Sequence, residues 1–208
     1  MNRAQLEHVL RAAATIVDDP NLLVIGSQSI LGAFADDRLP VEATTSIEAD
    51  IAFFDDPDGS KADRVDGAIG ELSRFHETFG YYAQGVSVST AVLPVGWEDR
   101  TVELATPGAA PARARCLDPH DCVVSKLVAG REKDLAFAAA LIRGGLVEPE
   151  TLVTRIRAVS GVSGGSIDRI AAWVRRQMGP SGCPRARGSY ASSSPLPVSR
   201  SVFIPDRM

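Results

Sequence analysis

The sequence predicts an α/β (α+β) chain, a small mixed sheet with flanking helices and a helical C-terminal part, and three observations predict it. The run Leu22-Leu23-Val24-Ile25 is unbroken, apolar and bounded by Pro20 and Gly26, which reads as a short strand buried on both faces. In Ile47-Glu48-Ala49-Asp50-Ile51-Ala52-Phe53-Phe54 the odd positions point one way and the even positions the other, because side chains alternate across a strand. Helical spacing of apolar residues then dominates both before Pro20 and after Asp118.

Along the chain, Leu6, Val9, Leu10, Ala13, Ile16 and Val17 form one apolar stripe, with Arg3, Glu7 and Arg11 turned away and His8 on the polar side. That helix ends near Asp19-Pro20. Ser27 to Phe34 reads as helical, residues 36–46 as a loop around Pro40, and Asp55, Asp56 and Asp58 as turn residues. A helix is expected from Lys61 to about Arg74, with short strands and aromatic-rich loops from Phe75 to Leu104. Asp118 is placed to cap a helix with Pro119 at its first position. Helices are expected at about 119–129, 131–143, 148–158 and 166–178, broken at Gly130 and Gly144-Gly145.

The expected organisation is therefore an α/β domain over residues 1–117 and a helical part over 118–179. Residues 180–208 hold seven Ser and five Pro with little periodicity and are expected to be disordered. Hydrophobic residues make up 45% and charged residues 23%, which excludes a disordered class for the body. No apolar run approaches the ~18–20 residues that span a bilayer, and Glu7, Asp18 and Asp19 stand where a signal peptide would be apolar. A cytoplasmic protein with no membrane partner is the expectation. Cys116, Cys122 and Cys183 offer neither a disulfide framework nor zinc spacing, so they read as reduced thiols. Net charge is −4; residues 180–208 contribute four Arg and one Asp, leaving −7 on residues 1–179. An acidic body argues against non-specific grip on a phosphate backbone.

The constellation that carries chemistry is apolar strand, Gly26-Ser27, helix, then a second strand bearing Glu48-x-Asp50. Two carboxylates on one strand face can share Mg²⁺, a hard cation that keeps phosphates and waters as its remaining ligands. A Gly-Ser turn lets backbone N–H groups and a hydroxyl approach a triphosphate. Lys126, Arg131, Lys133 and Asp134 come later in the helical part, either as phosphate-facing groups or as a solvated face with local ion pairs. His76 is a base or a structural histidine, and Tyr81, Tyr82 and Trp97 either stack on a base or pack the core.

Val24-Ile25-Gly26-Ser27 and Ile47-Glu48-Ala49-Asp50-Ile51 resemble the signature of the nucleotidyltransferase superfamily typified by DNA polymerase beta and the aminoglycoside nucleotidyltransferases. With Lys126 and Lys133-Asp134, the chain looks most like small bacterial proteins related to abortive-infection toxins of type IV toxin–antitoxin pairs, over about residues 5–145. The interval from Ser27 to Glu48 is longer than is usual there, and Glu48 stands where Asp is commoner. The resemblance implies transfer of NMP from an NTP to a hydroxyl. Gly26, Ser27, Lys126, Arg131 and Lys133 would bind nucleotide; Glu48 and Asp50 would hold Mg²⁺ or Mn²⁺; Asp50, Lys126 and Asp134 would be catalytic. It further implies a tRNA 3′ end as acceptor in a toxin, or else a protein or small molecule, and a cognate antitoxin as partner. The alternatives are a catalytically inactive nucleotidyltransferase-like binding protein or toxin–antitoxin component, and a drug-modifying enzyme. A third carboxylate is not evident beyond Glu103 in Thr101-Val-Glu-Leu.

Overall fold

A computed structural model describes residues 1–178; the expectation for residues 180–208 and the thiol of Cys183 lie outside the described residues. The first helix, α1 (Arg3–Val17), starts with a reciprocal capping box between Asn2 and Gln5 and stops where Asp18 turns left-handed ahead of Pro20. β1 (Asn21–Ile25) comes next, and after it a six-residue 3₁₀ turn, Ser27–Gly32, stands in place of the expected helix. The expected loop at 36–46 instead contains a 3₁₀ turn at Asp36–Arg38 and one turn of helix, α2 (Val41–Thr44). β2 spans Glu48–Phe53 and α3 spans Ser60–Ile69, whose first-turn N–H groups of Lys61 and Ala62 donate to the Asp56 carboxylate.

The stretch expected to hold only strands and loops begins with a helix, α4 (Arg74–Phe79), capped by Ser73 and ended by Gly80. Its aromatic composition favours strands, but the Ser73 cap and the contacts of Phe75 with the core decide otherwise. β3 (Tyr82–Gly85), β4 (Val102–Leu104) and β5 (Arg113–Cys116) complete the sheet. The helical part is α5 (Pro119–Ala129), α6 (Glu132–Arg143), α7 (Pro149–Arg157) and α8 (Gly164–Gln177), each within two residues of the bounds expected from sequence. Among the described residues no helix is long and apolar enough to cross a membrane.

The five strands run in the order β3-β2-β1-β5-β4. β1 pairs antiparallel with β2 and parallel with β5, β2 pairs parallel with β3, and β4 closes the far edge antiparallel to β5. The sheet therefore divides two cores. Leu22 and Val24 of β1 join Ala49, Ile51 and Phe53 of β2 against α1 and α3, while Leu23 and Ile25 join Ala52 against α5, α6 and α7. This is why β1 is apolar at successive positions: both of its faces are covered.

An ionic joint ties α5 to its surroundings. Asp121, fully buried, accepts from Arg100 Nε at 2.8 Å and lies 2.9 Å from Arg155 Nη1. Arg155 also donates to the Asp118 carboxylate, which receives the backbone N–H of His120 at 2.8 Å as the helix cap. His120 Nε2 accepts from the Glu148 N–H at 2.9 Å, so its ring proton sits on Nδ1, 3.2 Å from Asp118 Oδ1. A buried and a half-buried carboxylate are thereby matched by two guanidiniums. Breaking such a pairing from one side is costly because it leaves an uncompensated charge.

Burial alone would raise the Asp118 carboxyl, but the His120 hydrogen bond and the Arg155 charge outweigh it and hold it at about 2, below an ordinary 3.8. A depressed carboxyl stabilises the fold above its unfolded value, and that contribution disappears as pH falls through the folded value. Asp118→Asn, which keeps a capping side chain, is expected to lower stability at pH 7 by about 2 kcal/mol. In urea titrations the gap to wild type should narrow steadily between about pH 4 and about pH 2; a gap independent of pH would show that the charge is not what matters.

Candidate active site

The site begins with strand register. Ile25 of β1 faces Asp50 of β2 across an antiparallel pair, so the next residue, Gly26, turns the chain directly beside the strand that carries the carboxylates. Gly26 has φ +70°, and a Cβ built on it would lie 1.9 Å from Asp50 Oδ2. Its bare Cα is what allows the carboxylate to rest against the turn. From beneath, the Gly26 carbonyl accepts from Ser29 Oγ at 2.8 Å and from Cys122 Sγ at 3.1 Å. Sequence reasoning does not find either residue; the one available signal is the place of Ser29, three positions on, where a 3₁₀ turn folds back. The Ser27 hydroxyl forms no hydrogen bond among the described residues and is only partly buried.

Glu48 and Asp50 sit two positions apart on β2 and share a face. Burial raises the Asp50 carboxyl most, the neighbouring Glu48 charge raises it further, and the positive charges of Lys126 and Lys133 oppose both; the result is about 7. The parallel pairing of β2 with β3 sets Tyr82 beside Glu48 and Gln84 beside Asp50. The Tyr82 hydroxyl donates to Glu48 Oε2 at 3.2 Å, and burial together with the Glu48 charge pushes that hydroxyl up to about 12. Tyr82 is buried, as is Tyr81, and Trp97 packs against the helical core, so these rings pack the fold rather than offer a stacking face.

The later cations arrive from two helices. Gly130, at φ +67°, ends α5, so Lys126 and Lys133 do not lie on one continuous helix. Asp134, 2% exposed in the first turn of α6, gathers the group: its Oδ2 accepts from Arg131 Nε at 2.6 Å and its Oδ1 lies 3.5 Å from Lys126 Nζ. Asp134 is thus engaged with protein cations on both oxygens. Lys133 is exposed and has no acidic partner within ion-pair distance among the described residues, yet its charge reaches Asp50. The structure brings Gly26, Ser27, Glu48, Asp50, Lys126, Arg131, Lys133 and Asp134 to one end of β1 and β2.

Two other sequence candidates fall away from it. Glu103 lies on β4, which is separated from β2 by β1 and β5, and faces Arg115. Three strand spacings put it ~14 Å from the Asp50 strand, too far to act with it. His76 makes no hydrogen bond to the carboxylates; its Nδ1 accepts the Leu72 N–H at 3.1 Å and its ring packs on Tyr82 at 4.7 Å. His8, expected on a polar face, instead bonds Tyr81 at 2.8 Å within a cluster of Phe75 and Phe79. Beside Asp50 on β3 stands the amide of Gln84, not a carboxylate. Among the described residues no group of three or more His, Cys, Asp or Glu side chains could hold a metal ion. Two carboxylates do suffice for Mg²⁺ when substrate phosphates and water complete its shell, and Glu48 and Asp50 on one face of β2 fit that mode. Cys116 and Cys122 are free and buried, and burial raises their thiols to about 12 and about 11, so neither is a nucleophile at neutral pH.

The sequence profile of a family described as "Nucleotidyltransferase of unknown function (DUF6036)" matches residues 4–156. No curated protein and no solved structure matches the chain.

Ionising Asp50 inside the fold is unfavourable because its carboxyl is raised from an ordinary 3.8 to about 7. A raised carboxyl leaves stability intact below the unfolded value and removes it as pH climbs through the folded one. Metal-free Asp50→Asn is therefore expected to be more stable than wild type at about pH 8, by up to about 3 kcal/mol. Thermal melts should show the advantage shrinking as pH is lowered to about 5 and gone near about pH 4; an Asn variant that melts lower than wild type in mild alkali would contradict this.

Proposed function

The chain belongs to this nucleotidyltransferase family, and on that premise we propose that it transfers a nucleoside monophosphate from an NTP to an acceptor hydroxyl. The acceptor oxygen bonds to the α-phosphorus, the bond from that phosphorus to the bridging α,β-oxygen breaks, and pyrophosphate leaves. The observation that carries the reading is the Asp50 carboxylate resting against the Gly26 turn, with Glu48 on the same strand face and the charges of Lys126 and Lys133 directed at it.

Glu48 and Asp50 are the residues that would hold Mg²⁺ or Mn²⁺. The chemistry such an ion supplies is neutralisation of phosphate charge and orientation of the oxygens around phosphorus. The chain's own part is positioning. Gly26, with no Cβ, lets the Asp50 carboxylate close against the turn, and Ser27 offers a hydroxyl with no competing partner among the described residues. Lys126 and Lys133 act as point charges on the triphosphate, and Arg131 adds a planar donor set. Asp134 is a positioning residue: it fixes Lys126 and Arg131 across the Gly130 break and leaves their outward donors for the nucleotide. Gln84 beside Asp50 is an amide and supplies no base to the acceptor hydroxyl.

The finer reading is a toxin that modifies the 3′ end of tRNA and is restrained by a cognate antitoxin, supported by the motif resemblance. The acidic body argues against a broad grip on nucleic acid, and the Lys126, Arg131 and Lys133 group is where a local contact would be made. A second reading, a non-catalytic nucleotide- or partner-binding relative, is favoured by the amide of Gln84, rather than a carboxylate, beside Asp50.

Labelled NTP, Mg²⁺ and total tRNA with wild type and Asp50→Ala decide between them. The enzyme reading expects label on tRNA with wild type and none with the variant. Lys126→Ala is expected to lower kcat/KM about 10–100-fold, the loss of one charged phosphate contact. Nucleotide binding by wild type without transfer to tRNA, protein or aminoglycoside acceptors would support the binding module instead.

A further inference from the structure

We propose that Tyr82 is a positioning residue for Glu48, and that a glutamate stands at the first acidic place of β2 because the tyrosine hydroxyl meets it there. The proposal rests on the nucleotidyltransferase reading of the site. Parallel pairing makes Glu48 and Tyr82 direct neighbours, and the 3.2 Å hydrogen bond from Oη to Oε2 joins their tips. A glutamate has one more rotatable bond than an aspartate, and so more conformations in which its carboxylate faces away from Asp50. A donor fixed beside it removes that freedom.

The donor is itself fixed. Tyr82 is buried, and its ring packs against the imidazole of His76 at 4.7 Å. That imidazole is held by the Leu72 N–H, which donates to Nδ1 at 3.1 Å from a residue in left-handed conformation, φ +63°. A non-glycine residue there is uncommon and mildly strained. Ser73 caps α4 through the N–H of His76, so the backbone under the imidazole is anchored as well. The chain of contacts runs Leu72, His76, Tyr82, Glu48 and ends at the carboxylate pair. An aspartate at position 48 would withdraw its carboxylate by one C–C bond, about 1.5 Å, beyond hydrogen-bond reach of the hydroxyl. The glutamate and the tyrosine therefore form one device, in which the longer acid is matched to a donor on the next strand.

The test is Mn²⁺ binding in the presence of a non-hydrolysable NTP analogue, read by electron paramagnetic resonance on the full chain. Wild type, Tyr82→Phe, Glu48→Asp and the double variant are compared, with thermal melts of each in metal-free form. Tyr82→Phe keeps the ring and removes only the hydroxyl; it should weaken Mn²⁺ about tenfold, the usual scale for losing a group that orients a metal ligand. Glu48→Asp should weaken it as well, although aspartate is the commoner acid in such sites. In the double variant the two losses should fall well short of additive, and the metal-free melts should stay together. Should Tyr82→Phe lower the melt, binding is read at a temperature where every variant is folded, and the non-additivity of the double variant still decides. Mn²⁺ binding by Glu48→Asp equal to or tighter than wild type, or fully additive losses, overturns the proposal while leaving the nucleotidyltransferase reading in place. Wild type that binds no Mn²⁺ with the analogue overturns both.

Discussion

Everything at the site depends on the pairing of Ile25 with Asp50 across two antiparallel strands. A strand's side chains alternate, so a slip of one residue would turn Glu48 and Asp50 toward α1 and bring Ala49 and Ile51 to the opposite face. Ala49 and Ile51 are fully buried in the α1 and α3 core, and Leu22 and Val24 share it. The apolar side of the strand thus sets the register that the acidic side needs. The Gly26 turn inherits its place from the same pairing, since it is the first residue beyond the last pair.

The carboxylates stand at the edge of a second core whose helices bring compensating charge. Asp50 is buried enough to be raised to about 7, a cost that the charges of Lys126 and Lys133 partly offset. Lys126 is held in turn by Asp134, which lies on the far side of a helix break and is itself enclosed. A site of this kind mixes both signs of charge before any ligand arrives, and its groups come from four separate stretches of chain. Such long-range assembly is the reason that a local motif describes only part of it.

The elements most legible in the sequence are those with a strong period or a strong boundary. β1 lies between Pro20 and Gly26, and α5 begins where Asp118-Pro119 caps it, because those residues restrict the backbone whatever surrounds them. α4 is hidden because six residues carry too little period to outweigh the strand preference of Phe75, Phe79 and their neighbours. The Gly26-Ser27 and Glu48-x-Asp50 pairs are legible as motifs. Tyr82, Gln84, Ser29 and Cys122 are not, since their places at the site come from strand order and helix placement. Glu103 misleads for the same reason: a strand-like setting says nothing of which strands lie between.

Helix α5 carries three fittings on one rigid rod. Its cap holds the Asp118 joint, Cys122 lies under the Gly26 turn, and the charge of Lys126 bears on Asp50. Each residue inserted into a helix rotates everything beyond it by about 100°, so an insertion between Cys122 and Lys126 would swing the lysine out of alignment while leaving the thiol seated. An insertion at Gly130 would leave the phase of α5 unchanged, because the chain there already leaves helical conformation, but would shift Asp134 relative to Lys126. The rod before Gly130 therefore behaves as a ruler whose markings cannot be respaced, and the Lys126–Asp134 pair sets the span of the joint after it.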